Sequence, residues 1–216
     1  MKYLIVTDYQ HVFVDGKLGT LQALKIYQAV KDKIFQRIHE GWQVVLTYDT
    51  HDENYLNTME GRNLPIVHGI EGTPEWELYG NLLEEIKFHI LYHRVIEELP
   101  LPDHVAASKA VVKYLTDENN EDDSGPLIVK KHNFGYNEWQ YLIPDAEEIE
   151  VIGVCTDICV ISNVLILKAQ FPEVPIRVDA DCCAGTTESG HWAALRTMLA
   201  CQVIVYCGEN PWKPQE

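Results

Sequence analysis

Aspartate, lysine and cysteine stand in this chain just after short apolar runs, and together they are the parts of an activated thiol. Asp8 follows residues 3–7, Lys130 and Lys131 follow 127–129, and Cys155 and Cys159 follow 150–153. A free cysteine is mostly thiol at neutral pH, whereas the thiolate is the nucleophile. Cys159 is expected in the first turn of a helix, where backbone N–H groups and the helix dipole favour an anion. A nearby ammonium such as that of Lys131 is expected to lower the thiol pKa further. Asp8 is suited to take the thiol proton and hand it to a leaving amine, the acid/base work of amide cleavage. Backbone N–H groups of the 155–159 turn are candidates for an oxyanion hole. Each residue alone has an ordinary explanation: a core cysteine, a capping aspartate, a surface lysine. Their joint placement beyond three strand ends is what singles them out.

A second constellation follows residues 43–48: Asp49, His51, Glu53, Glu60 and His68. An Asp-x-His pair emerging from a strand puts two ligands on the same side, and imidazole with carboxylate suits Zn, Fe or Mn.

The elements that must position these groups form a regular alternation. Strands are predicted at 3–7, 43–48, 127–129, 150–153, 176–178 and 203–206, each short and buried on both faces. Helices are predicted at 21–39, 82–97, 104–114, 156–170 and 188–200. This is the pattern of an α/β fold: three layers, a doubly wound, mostly parallel sheet of about six strands, helices on both faces. In such sheets ligands bind beyond the carboxyl ends of the strands, which is where the chemistry-bearing residues fall.

The chain has 216 residues, with 17 basic and 33 acidic side chains and a net charge of −16. The length suits one domain over 1–216, able to bury roughly 70% of its unfolded surface. Apolar residues make up 46%, too many for disorder, and there is no apolar run long enough to span a membrane. The acidic excess argues against nucleic acid, which needs a basic stripe. The apolar run at 3–7 is too short for a signal-peptide core, so six reduced cysteines and a cytoplasmic protein are expected. Cys155 and Cys159 are spaced CxxxC rather than the usual redox CxxC, and Cys182-Cys183, just before a loop at 184–187 after the fifth strand, reads as small buried side chains near the pocket. Five carboxylates between 117 and 123 lack EF-hand spacing and read as a solvated loop.

The motifs themselves resemble those of the isochorismatase-like cysteine hydrolases, and among them the nicotinamidases. Asp8-Tyr9-Gln10-His11-Val12-Phe13 is similar to the family's Asp-x-Gln with a following aromatic. Gly153-Val154-Cys155-Thr156-Asp157-Ile158-Cys159-Val160 is similar to its nucleophile motif. Lys131-His132-Asn133-Phe134-Gly135 has the family's lysine-to-aromatic spacing, which Lys130 does not. The resemblance covers nearly the whole chain except about 84–125, a segment longer than the family pattern. It implies a catalytic triad of Asp8, Lys131 and Cys159, a cis peptide between Val154 and Cys155 beside the oxyanion turn, and Phe13 and Phe134 in the substrate pocket. It further implies a divalent metal held by Asp49, His51 and His68, with Glu60 as the extra carboxylate of some members. That metal would hold a pyridine nitrogen of a small carboxamide substrate.

One departure concerns the pocket wall. The family's aromatic-Pro-Pro-His stretch reads Leu64-Pro65-Ile66-Val67-His68 here, with one extra residue between Glu60 and His68. The expected activity is hydrolysis of nicotinamide, or a similar small carboxamide, to acid and ammonia through a thioester. The alternatives are another small amide or carbamoyl compound, or a non-catalytic relative that binds metal or ligand. Vinyl-ether hydrolysis would leave the metal residues without a use. Neither the metal's identity nor a homo-oligomeric state follows from the sequence.

Overall fold

The structure, a computed structural model, describes residues 1–98, 104–115, 125–208 and 210–212. β1 (Lys2–Thr7) is buried at every residue after Lys2. It leads through α1 (His11–Val14), α2 (Leu21–Lys25) and α3 (Tyr27–His39) to β2 (Gln43–Asp49). A 3-10 turn (Tyr55–Asn57), α4 (Met59–Asn63), α5 (Leu82–Glu98) and α6 (His104–Leu115) precede β3 (Leu127–Lys131). After α7 (Trp139–Leu142) and β4 (Glu148–Val154), a π-helical turn (Thr156–Val160) runs into α8 (Ile161–Gln170). β5 (Ile176–Ala184), α9 (Glu188–Ala200), β6 (Ile204–Cys207) and β7 (Asn210–Pro211) complete the order.

The strands form one sheet in the order β3-β2-β1-β4-β5-β6-β7, parallel except for the final pair. The chain winds outward through β2 and β3, then returns to the other side of β1 to lay down β4, β5 and β6. The winding direction therefore reverses between β1 and β4, which opens a crevice beyond their carboxyl ends. Because such crossovers are right-handed, the reversal sends the two sets of helices to opposite faces. α3 packs on β2 and β5 and against α5, while α8 and α9 pack on each other and on β5.

Register delivers the site. Thr7 pairs with both Thr47 and Gly153, and Asp49 pairs with Lys131. The residues next in sequence, above all Asp8, thus leave the sheet at one level. Gly153 makes this level possible. Its φ is +117°, and a Cβ there would lie 2.2 Å from the Thr7 carbonyl oxygen, so a side chain would push β4 away from β1.

Several expectations need correction. The sheet has seven strands rather than about six, because the two-residue β7 was too short to carry a pattern. The helix predicted at 21–39 breaks at Ile26, and Thr20 caps its first part by accepting from Ala23 N at 3.0 Å. The helix predicted from 156 begins as the π turn, so Cys159 does lie in a first helical turn, but a π-helical one. The fifth strand, predicted at 176–178, runs on to Ala184 after a register shift between Val151 and Gly153, which takes the buried Cys182 and Cys183 into the strand. β3 is an edge, with Ile128 47% exposed and Lys130 exposed, so it is not buried on both faces. Helices do occupy most of 82–98 and 104–115, whereas the acidic run at 117–123 lies outside the described residues. Among the described residues no helix is long and apolar enough to cross a membrane.

Candidate active site

Asp8, Lys131 and Cys159 come together at the switch point, all of them buried. Lys131 Nζ lies 2.6 Å from Asp8 Oδ2, 3.8 Å from Cys159 Sγ and 3.4 Å from Asp49 Oδ1, and donates to the Asn133 carbonyl at 3.0 Å. Asp8 has left β1 with a φ of 46°, a left-handed conformation that residues other than glycine rarely adopt. Thr47 holds it there: the Asp8 N–H donates to the Thr47 carbonyl, and the Thr47 hydroxyl donates to Asp8 Oδ1 at 2.7 Å. Gln10 ties the ends of β1 and β2 together, accepting from Asp49 N at 2.8 Å and donating to the Asp49 carbonyl at 3.1 Å. The peptide between Val154 and Cys155 is cis, as the resemblance implied.

The nucleophile turn is anchored from two sides. Asn163, fully buried, donates to the Cys159 carbonyl at 2.9 Å. Asp157 accepts from the Thr186 N–H at 2.9 Å and from its hydroxyl at 2.5 Å, while Thr156 Oγ1 lies 2.8 Å from His191 Nδ1. Thr186 and His191 were given no role in the sequence reading. Their only signal was the Thr156-Asp157 pair inside the nucleophile motif, which needed partners from elsewhere. The Ile158 and Val160 N–H groups both donate to the Cys155 carbonyl.

The electrostatics correct one expectation. Burial and the Asp8 carboxylate push the Cys159 thiol well above the usual cysteine range, and Lys131 only partly offsets them. The lysine acts in the expected direction but does not win, because a thiolate in this site would sit fully desolvated beside a carboxylate. Burial likewise raises Asp8 against the opposing pull of Lys131. Lys131 itself remains charged, since Asp8, Cys159 and Asp49 outweigh its desolvation. Asp8 and Lys131 thus form a close buried pair beside a thiol held neutral.

Asp49, His51 and His68 form the second half of the site. Their ligand atoms lie within 4.8 Å of one another and all three residues are buried. His51 Nε2 is 3.0 Å and His68 Nε2 3.4 Å from Asp49 Oδ2. Glu60 stands farther out, 3.7 Å from both imidazoles. Asp49 Oδ2 and His51 Nε2 are buried without a hydrogen-bond partner. His68 Nδ1 donates to the Ile66 carbonyl at 2.8 Å, which leaves a lone pair on Nε2. Buried donors left unpaired and aimed at one point are what a divalent cation would satisfy, so this group fits a metal ion. Glu53 is exposed and plays no part in the cluster.

One cavity of about 340 Å³ joins the two halves. Cys155, Cys159, Asp49, Glu60 and His68 line it, together with Phe13 and Phe134. Leu18, Leu64, Ile158 and Thr186 also line it. Of these four, only Leu64 stood out in the sequence as part of the pocket wall, being aliphatic where the family pattern has an aromatic. Cys182 and Cys183 do not line this cavity; Cys182 instead borders a groove beside α3. None of the six cysteines is bridged.

Comparison with known proteins bears on the fold and the family. The isochorismatase domain profile matches residues 115–210. An uncharacterized isochorismatase family protein PncA from Bacillus subtilis (strain 168) is 30% identical over 196 residues, covering 89% of this chain and 91% of that protein. The crystal structure of nicotinamidase PncA from Bacillus subtilis has a TM-score of 0.67 at 22% identity, covering 94% of this chain and 98% of that one. The pyrazinamidase of Pyrococcus horikoshii in complex with zinc also has a TM-score of 0.67, at 18% identity, covering 95% and 98%. These two likenesses speak to the fold, while the 30% identity across nine-tenths of both chains speaks to descent. The chain belongs to the isochorismatase family of hydrolases.

Proposed function

We propose that this hydrolase is a cysteine-dependent amidase that converts nicotinamide, or a closely similar small carboxamide, to the acid and ammonia. The observation that carries the reading is the position of Lys131. Its ammonium touches Asp8, Cys159 and Asp49 at once, and so joins the proton carrier to a nucleophile and a metal-ligating carboxylate that line one 340 Å³ cavity. The similarity to a nicotinamidase and a zinc-bound pyrazinamidase supports the same reading.

In this mechanism Cys159 Sγ attacks the carboxamide carbon as its proton passes to the Asp8 carboxylate. A thiol kept neutral at rest makes that transfer part of the chemical step. With the Ile158 and Val160 N–H groups spent on the Cys155 carbonyl, oxyanion stabilisation falls to the other N–H groups of the turn. Asp8 then returns the proton to the nitrogen, the C–N bond breaks, ammonia leaves, and the acyl group stays on sulfur as a thioester. Water, deprotonated by Asp8, hydrolyses the thioester and restores the thiol. Lys131 stays charged throughout and holds Asp8 in place. A divalent cation on Asp49, His51 and His68, with Glu60 beside it, would supply a Lewis-acid anchor for a ring nitrogen. Phe13 and Phe134 would flank the ring.

Ammonia release from nicotinamide tests the proposal. Wild-type protein is expected to turn over, and Cys159→Ala to lose at least about 10³-fold in rate. Turnover by Cys159→Ala at the wild-type rate would overturn the mechanism. The aliphatic wall of Leu18, Leu64 and Ile158 favours a second reading in which the same machinery acts on another small amide or carbamoyl compound. A panel of carboxamides assayed beside nicotinamide separates the two.

A further inference from the structure

Away from the cavity, three imidazoles meet between α3 and α5. His39 ends α3, and His89 and His93 stand four residues apart on α5, hence on the same side of that helix. The His39 ring centroid lies 5.8 Å from that of His89 and 5.6 Å from that of His93. His89 is stacked on Phe35 at 3.8 Å, and its Nδ1 is buried without a hydrogen-bond partner.

The spacing has a yardstick within the same molecule. In the Asp49 cluster, the His51 and His68 ring centroids are 5.0 Å apart. Two imidazoles bound at about 2.0–2.1 Å to one tetrahedral ion place their centroids on the order of 5 Å apart. The His39 ring is therefore within about 1 Å of a shared-ligand spacing from each of the other two rings. We propose that His39, His89 and His93 form a second metal site, for an imidazole-preferring divalent transition ion such as Zn²⁺, Cu²⁺ or Ni²⁺, that fastens α3 to α5.

The site assembles on binding. The His39 and His93 rings are inclined by only 23°, and among the described residues the only donors already converging within 4.8 Å are those of Asp49, His51 and His68. His39 is exposed, so its ring can turn to bring its nitrogen toward the other two. An i, i+4 histidine pair on one helix is already a two-ligand platform for such an ion, and the third ligand comes from the neighbouring helix. Lys31, the nearby cation, is paired with Glu85, one turn before His89, so its charge is balanced locally.

Zn²⁺ bound per chain after equilibrium dialysis tests the assignment. Wild-type protein is expected to hold two equivalents, and His51→Ala/His68→Ala and His39→Ala/His93→Ala one each. Combining all four substitutions should leave none. In the His51→Ala/His68→Ala background, Zn²⁺ should raise Tm, and His39→Ala should abolish that rise. A His39→Ala/His93→Ala protein that holds as much Zn²⁺ as wild type overturns the site. So does a wild-type protein that holds one equivalent, all of it lost with His51 and His68.

Discussion

Two groups of buried charges occupy the same sheet and differ in how completely they are satisfied. The first is the cluster of Asp8, Lys131, Asp49, His51 and His68 at the carboxyl ends of the strands. The second lies in the body of the sheet around Glu150 of β4, which is fully buried. There Arg37 Nε donates to Glu150 Oε2 at 2.5 Å, the Tyr206 hydroxyl donates to Oε1, and Lys33 bridges Glu150 at 3.7 Å to Asp179 at 3.0 Å. Both Glu150 oxygens have partners. In the first cluster, Asp49 Oδ2 and His51 Nε2 lie 3.0 Å apart yet make no hydrogen bond, and the Cys159 thiol is held protonated. A groove of about 540 Å³, larger than the active-site cavity, borders the second group, so neither buried charge nor void size marks the site. What separates the two is unfinished bonding. The Glu150 group has completed its interactions within the fold, whereas the Asp49 group keeps unsatisfied polar atoms that could hold a cation.

Asp8→Asn breaks the comparison most sharply. Loss of the proton carrier should lower kcat by about 10²–10⁴-fold. The same change removes a negative charge that raises the Cys159 pKa and leaves the Lys131 charge in place, so the thiol pKa should fall. Alkylation of Cys159 by iodoacetamide should accordingly begin at lower pH in Asp8→Asn than in wild type, where it should require pH above the ordinary cysteine range. An unchanged alkylation profile would show that Asp8 does not set the thiol. Arg37→Ala attacks the other cluster. Removing one partner of a buried pair costs about 3–5 kcal/mol, so the denaturant midpoint should fall markedly while kcat per folded molecule holds. A loss of kcat in Arg37→Ala would mean that the two clusters are coupled.

Smaller effects sharpen the boundary between them. Gly153→Ala forces a Cβ against the Thr7 backbone and should destabilise by about 1–3 kcal/mol. Because Asp8 follows Thr7, turnover should fall as well, unlike in Arg37→Ala. Leu64→Ala removes part of the apolar wall and should raise KM about tenfold with little change in kcat. If KM for nicotinamide instead falls, the cavity is shaped for a bulkier substrate.

The alternation of apolar runs and helical stretches was enough to place β1, β2, β4 and the whole of α9, since central parallel strands are nearly continuous in hydrophobicity. Asp8, Lys131, Cys159, Asp49, His51 and His68 were legible because each sits at or just beyond a strand end or in a recognisable motif. Edges and partners were not. β3 reads like a central strand until its neighbours are counted, and β5 runs on past the register shift into Cys182-Cys183. Leu18, Ile158 and Thr186 reach the cavity from separate elements, and no local pattern joins them. Glu150 looks like any strand-end glutamate in sequence, and nothing there foretells that it is fully buried beneath Arg37 and Tyr206.

By itself the sequence determined which residue types arrive at the sheet edge, because period and apolar content decide where strands end and side-chain chemistry decides what can happen there. The tertiary structure alone decided their state. Whether a thiol beside both a lysine and an aspartate is ionised depends on distance and burial. In this protein full desolvation and the Asp8 carboxylate together outweigh an ammonium 3.8 Å away. The meeting of His39 with His89 and His93 is likewise a product of packing, since residues fifty apart share a site only when two helices cross.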